Sequence, residues 1–302
     1  MILSYPSYYK EFACIAHRCR HSCCIGWEID IDEDSLTRFQ AVTGPLGQRL
    51  QENIDLEDTP HFRLGAEERC PFLNEEGLCD LIIGLGEDSL CQICADHPRF
   101  RNEFTDRTEM GLGLTCEAAA ALIIEQQAPM TLMVLEDDGG SECADEDEAW
   151  LLQARDNAMA VAQDRSFPVA ERMEHLGLLF GTARPTDPVQ WAEVYLGLER
   201  LDEQWTQLLE ALRAPLGTPA PCSETALEQL LVYFLYRHMP AALRDSDVAT
   251  KVGFAILSVT MLQWLHTVTG LELTELARMY SSEIEYSDEN LDILWDILYD
   301  TI

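Results

Sequence analysis

The sequence predicts a mainly α protein: a cysteine-rich, metal-binding N-terminal half with short strands, packed on an all-α helical C-terminal half. Three observations carry that expectation. Nine of the eleven cysteines fall between Cys14 and Cys116. From about residue 148 onward apolar residues recur at helical spacing. Between the two runs an acidic, glycine-containing stretch, Glu136 to Glu148. We therefore expect a cysteine-rich metal-binding region over 1–125, an acidic linker over 126–147 and a helical domain over 148–302. With 302 residues the chain can bury a core without help from metal.

In chain order, Trp27 to Asp32 alternates apolar and acidic residues, a short-strand pattern. Asp34 to Gln51 reads as a helix broken near Gly44-Pro45, and Gln51 to Glu68 as a polar excursion that returns the chain to Cys70. Cys70 to Cys79 reads as a hairpin turning at Glu76-Gly77, with a cysteine at each end. Asp80 to Leu85 is a short helix. A second starts near Asp88 and offers Cys91 and Cys94 on one face before His97-Pro98 ends it. Met110 to Thr115 is extended, and Glu117 to Gln126 is an alanine-rich helix. Helices follow at about 148–164, 168–182, 188–213, 223–238, 242–268, 272–280 and 288–300. Pro168 and Pro188 suit first turns, Asp187 and Ser223 suit caps, and Gly270 suits a stop.

The cysteines are Cys14, Cys19, Cys23 and Cys24; Cys70 and Cys79; Cys91, Cys94 and Cys116. Three readings compete. A disulfide framework belongs to short secreted chains, and Met1 to Pro6 carries neither a basic stretch nor a sustained apolar run. A structural zinc site could use Cys91-Gln92-Ile93-Cys94 as one knuckle. An iron–sulfur cluster suits so many sulfurs with so few histidines at finger spacing. Adjacent Cys23 and Cys24 cannot easily both turn to one metal, so one of them is expected to pack in the core. A single centre would best combine Cys19, Cys23, Cys91 and Cys94. If the first group serves a separate centre, the second would use Cys79, Cys91, Cys94 and Cys116.

A net charge of −34 argues against a nucleic-acid partner, which needs a basic face, and suits a lysine-rich one; it also serves plain solubility. Only two lysines occur, Lys10 and Lys251. The longest apolar stretch, Phe254 to Leu265, is interrupted by Ser258, Thr260 and Gln263 and reads as a buried helix, so no transmembrane segment is expected. A cytoplasmic protein, whose thiols stay reduced, is the simplest expectation.

Several stretches resemble the flagellin lysine-N-methylases, which carry a CxxCxxCC-type iron- or zinc-chelating region. They are Phe12-Ala13-Cys14 through Cys23-Cys24-Ile25-Gly26-Trp27 with Ile29 to Asp32; Cys70-Pro71-Phe72-Leu73 to Cys79; Leu85-Gly86-Glu87 to Cys91, with Cys94 and Pro98-Arg99; and Leu114-Thr115-Cys116-Glu117. Leu231 to His238 and Ser282 to Asn290 look similar too, although Tyr286 stands where a histidine is expected. The resemblance implies methyl transfer from S-adenosylmethionine (SAM) to lysine nitrogens of flagellin, with a [4Fe-4S] cluster on the cysteines. No strand followed by G-x-G-x-x-G is present, and Cys19-x3-Cys23 lacks the third thiolate of a C-x3-C-x2-C motif because Gly26 stands there.

If SAM binds, Arg18 and Arg20, flanked by His17 and His21, could offset cluster charge and hold its carboxylate; a solvated surface explains them equally. A carboxylate or tyrosine could take the proton from the attacking lysine, which makes Glu283, Glu285 and Tyr233 the catalytic candidates and Arg237 a third cofactor-binding arginine. Buried helix–helix contacts are the plainer account of these residues. The rival to the enzyme is a non-enzymatic zinc- or iron–sulfur-binding interaction module or metal carrier.

Overall fold

The computed structural model describes residues 1–139, 145–217 and 221–301, and these are mainly α. The chain divides into two units: Ala13–Phe100 with Cys116–Ala118, and Met1–Phe12, Arg101–Thr115 and Ala119–Ile302. Residues 1–12 and 101–115, expected with the cysteine-rich region, thus group with the helices.

In the cysteine-rich unit the helix Glu33–Ala41 starts where the Asp32 side chain accepts from Ser35 N at 2.8 Å, satisfying a backbone donor the helix cannot. The next helix, Gly44–Asn53, has Pro45 in its first turn, so the break falls where the Gly-Pro pair placed it. The polar excursion contains a small hairpin, Ile54–Asp55 against His61–Phe62. The alternating stretch Trp27 to Asp32 contributes one bridge beside it, Asp30 to His61, with Phe62 N donating to Ile29 O at 3.1 Å. That alternation turns Ile29 and Ile31 inward onto Phe39, Leu50, Phe62 and Phe72. The rings of Phe62 and Phe72 lie 5.0 Å apart, a packed aromatic pair. The Cys70 to Cys79 hairpin forms as expected: Leu73 bridges Cys79, Asn74 Oδ1 accepts from Glu76 N and Leu78 N, and Gly77 takes a positive φ of 73° that only glycine adopts at low cost.

A four-stranded sheet runs in the order Arg99–Glu103, Arg107–Leu112, Ile2–Pro6, Leu132–Asp137, all of it in the helical unit except Arg99 and Phe100. Ile2–Pro6 runs parallel to Arg107–Leu112 and antiparallel to Leu132–Asp137. The last of these strands lies inside the stretch expected to be a linker, whose residues 140–144 fall outside the described ones.

Two helices form the centre of this unit, Glu224–His238 and Val248–Thr269, and both are buried nearly all round. The second is long and apolar enough to cross a membrane, but 83% of its apolar window is buried within the protein, the pattern of a core helix. The helix expected over 188–213 is two helices, Pro188–Leu196 and Glu203–Ala211. The break is held from outside: the Glu283 carboxylate accepts from Leu201 N at 2.9 Å and Asp202 N at 2.8 Å, and Asp202 caps the second helix. Buried charges are paired, as burial demands. Arg155 forks onto Glu109, and Glu228 lies between Arg165 and Arg172.

Candidate functional site

The cysteine-rich unit brings eight thiols of segment 13–100 together with Cys116, and all nine are free. No disulfide framework is formed by these residues. Backbone pairing does part of the gathering: Cys70 N donates to Cys24 O at 2.8 Å, and Ile25 bridges Arg69. Cys91 stands at the N-cap position of the short helix Gln92–Asp96, and its Sγ lies 3.4 Å from Cys94 Sγ, so the C-x2-C spacing does place both on one face.

Cys70 and Cys91 belong to the unit's hydrophobic core, with Cys24, Cys79 and Cys94 packed against it. Of the adjacent pair, therefore, Cys24 is the one that turns to the core. Cys14 is exposed and Cys19 half-buried, near the carboxylate of Glu117 (Cys19 Sγ to Oε2 3.8 Å), which follows Cys116 directly.

Two sulfur pairs share protons. The hydrogen bond from Cys23, helped by Ser22 and the Arg69 charge, draws Cys24 down to about 7. Cys23, which keeps its proton for that bond and is half-buried, is pushed up. Likewise the bond from Cys94 lowers Cys91, while the Cys94 thiol rises. Burial pushes Cys70 up to about 12 and raises Cys19 and Cys79 as well. Each pair thus has one thiol that ionises more easily than an ordinary cysteine, and the thiolate is the form that binds metal.

Among the described residues no three or more His, Cys, Asp or Glu side chains converge in a geometry that holds a metal ion. The donor set nonetheless fits a soft centre in its chemistry: free thiols, all in one unit, with Cys24 and Cys91 lowered from the ordinary thiol value.

Two supporting residues, Asp32 and Glu117, lie in the stretches that resemble the family but had no role assigned from the sequence. Asp32 Oδ2 accepts from Gln92 N at 2.8 Å, tying the first turn of helix Gln92–Asp96 to the cap of helix Glu33–Ala41. Burial opposes its ionisation, but the N–H groups of Gln92 and Ser35 hold its carboxyl at about 2. Glu117 accepts from Arg20 N at 2.9 Å and pairs with the Arg20 guanidinium. Arg20 is thereby engaged, and Arg18 is exposed. Their places in the stretches Ile29 to Asp32 and Leu114 to Glu117 were the signal that could have found them.

The helical unit holds the other expected residues. Tyr233 O–H donates to Glu285 at 3.0 Å, and its oxygen accepts from Arg237 Nη1 at 2.9 Å and Leu114 N at 3.3 Å. Arg237 Nε lies 3.3 Å from the Glu285 carboxylate, and His238 Nε2 donates to it at 2.6 Å. Glu285 ends a single π-helical turn, Ser281–Glu285, which reorients its side chain inward. Burial alone would raise its carboxyl, but the Arg237 charge and the His238 bond hold it at about 2. Burial and the cations Arg237 and Lys251 keep His238 below the ordinary histidine range despite that bond. Burial also raises Tyr233 well above the phenol range. The Arg237 guanidinium lies 5.3 Å from the ring centroid of Tyr286, which is 53% exposed. So Tyr233, Glu285 and Arg237 form one network, joined by His238, to which no role was assigned. Glu283 stands apart at the 201–202 cap.

These features define a mainly α protein with nine free thiols in one unit and, in the helical unit, a buried network around Glu285. Over 134 residues the chain is 26% identical to the Lysine-N-methylase of Salmonella typhimurium (strain LT2), covering 42% of this chain and 33% of that protein. The Lysine-N-methylase of Salmonella choleraesuis (strain SC-B67) matches to the same extent. The Flagellar biosynthetic protein FliU of Salmonella muenchen is also 26% identical over 134 residues, covering 42% of this chain and 79% of that protein. The matched part thus spans about a third of the length of the lysine-N-methylases. No family model matches the chain, and no solved structure does. The named relatives support the resemblance to the flagellin lysine-N-methylase family read from the cysteine motifs.

Proposed function

We propose that this chain is a cytoplasmic, SAM-dependent protein-lysine N-methyltransferase with a flagellin-type acceptor and a [4Fe-4S] cluster held by four of the thiolates among Cys14, Cys19, Cys23, Cys24, Cys70, Cys79, Cys91, Cys94 and Cys116. The observation that carries the reading is the similarity to two lysine-N-methylases. The gathered, unoxidised thiols support the cluster, and a net charge of −34 supports a lysine-bearing acceptor. Cysteine ligation requires reduced thiols, which supports the cytoplasm.

In the reaction the lysine nitrogen forms a bond to the methyl carbon of SAM while that carbon's bond to sulfur breaks, and the ammonium proton passes to a base. When bound, a cluster whose four irons each carry a cysteine thiolate would supply a redox centre. Glu285 is fully enclosed and already accepts from Tyr233, Arg237 and His238, so its part is to fix Arg237 and Tyr233 rather than to take a proton from a protein lysine. Arg18, Arg20 and Arg237 are the arginines this reading assigns to the SAM carboxylate, of which Arg18 is exposed and Arg237 lies beside exposed Tyr286.

Five of the nine thiols lie in or against an apolar core, and that favours a second reading: a structural zinc or cluster in a non-enzymatic binding module. Protein kept free of oxygen, given SAM with a labelled methyl group and purified flagellin, separates the two. The enzyme reading expects methyl-lysine in flagellin; metal-loaded protein that transfers no methyl group ends it.

A further inference from the structure

A groove of about 430 Å³ lies in the helical unit, lined by none of the residues of the Glu285 network, with Trp150, Ala154, Leu179, Phe180, Asp247 and Val248 in its walls. Its size is that of a site for a single side chain or small ligand. Trp150, Ala154 and Asn157 stand at i, i+4 and i+7 of helix Glu146–Ala162, so one helix face makes one wall. Trp150 is 63% exposed and Leu179 59%, a large apolar area for a surface otherwise dominated by acids.

The opposite wall begins at Ser246, whose φ of +60° puts a non-glycine residue in the left-handed region just before the cap of helix Val248–Thr269. That turn sets Asp247 at the rim, where Oδ1 accepts from Thr250 N at 3.0 Å. The nearby ammonium of Lys251 is matched to Asp245 at 2.7 Å rather than to Asp247. Exposed Asp147 lies one turn before Trp150 on the same helix face.

An apolar floor, an indole face and a carboxylate rim match a long apolar stem that ends in a cation. We propose that this groove docks a lysine-bearing segment of the acceptor protein, laying the lysine stem along Trp150 and Leu179 with its ammonium between the indole face and Asp247. Charge complementarity selects this occupant: the chain carries −34, and among the described residues the groove walls hold the Asp247 carboxylate and no cation. The inference rests on the lysine-methylating reading and adds to it a place where the acceptor is held.

The test uses the full chain and a fluorescent synthetic peptide with one central lysine between leucine and serine residues, beside the same peptide with norleucine in place of lysine. Binding is followed by anisotropy for the wild type, Trp150→Ala and Asp247→Asn. Both changes lie at the surface, and an asparagine still caps the helix, so circular dichroism should be unaltered. We expect either variant, or the norleucine peptide, to bind about tenfold more weakly, the scale of a cation–π or charge-assisted contact. Absence of binding by the wild type, equal binding of the two peptides, or unchanged binding by both variants overturns the proposal. So does a loss of self-association in Trp150→Ala with peptide binding intact, which would show a second copy in the groove. Methyl transfer measured in parallel keeps the two ideas apart. Transfer with an unaltered KM in both variants sinks the groove and leaves the enzyme, whereas lysine-selective binding without transfer does the reverse.

Discussion

Replacing Glu285 with glutamine tests how much the buried network contributes to the helical unit. Its carboxyl is held down from the ordinary 4.5 to about 2, chiefly by the Arg237 charge and the His238 bond acting against burial. A shift of that size corresponds to roughly 3 kcal/mol between the charged and neutral forms. The side chain is fully enclosed, so solvent screening takes little away. Glu285→Gln should therefore lose about 3 kcal/mol, and its thermal midpoint should fall by roughly 6 to 12 °C in a unit of this size. Because the folded carboxyl is the more acidic, its stabilisation is complete above the unfolded value of 4.5 and fades as pH falls toward 2. Differential scanning calorimetry at pH 7 and at pH 3 reads both effects. Wild type and variant should differ most at pH 7 and converge in acid. A variant within 1 kcal/mol of wild type at pH 7, or a gap that widens in acid, would refute the reasoning.

Three further outcomes follow from the same contacts. Glu109→Ala leaves Arg155 buried without its carboxylate partner and should cost about 3–5 kcal/mol in urea unfolding; a loss below 1 kcal/mol would contradict the pairing. Gly177→Ala would bring a methyl group within 2.7 Å of the Thr182 carbonyl oxygen, so a stability loss of about 1–3 kcal/mol is expected, and a more stable variant would not fit. Joint replacement of Cys91 and Cys94 by serine should remove bound metal, as a strong chelator should from the wild type. Metal content equal to that of the wild type would exclude the pair as ligands.

Helices whose apolar residues cover a face, and whose ends carry caps, were legible in the sequence. Ser223 accepts from Ala226 N, Asp187 caps Pro188–Leu196, and Gly270 ends Val248–Thr269 in a left-handed turn, all local signals. The sheet was not legible. Ile2–Pro6 pairs with residues more than a hundred positions away, and Leu132–Asp137 is an exposed edge strand without alternation, so neither carries its pairing in its own pattern. The split of 188–213 was hidden for a similar reason, since its cause, Glu283, is remote in sequence.

At the candidate site, the C-x2-C spacing did foretell the closeness of Cys91 and Cys94, because a short helix fixes it. Which thiols gather around Cys24 depends instead on the pairing of segment 24–26 with 68–70, a long-range contact that spacing does not encode. His238 escaped assignment because its partner Glu285 lies 47 residues away on a π-helical turn.

The most direct measurement is iron and inorganic sulfide per chain in protein purified without oxygen. If the thiols hold the proposed cluster, about four of each should accompany every chain, with a brown colour that fades in air. Stoichiometric zinc in a colourless protein, or no bound metal at all, would contradict it.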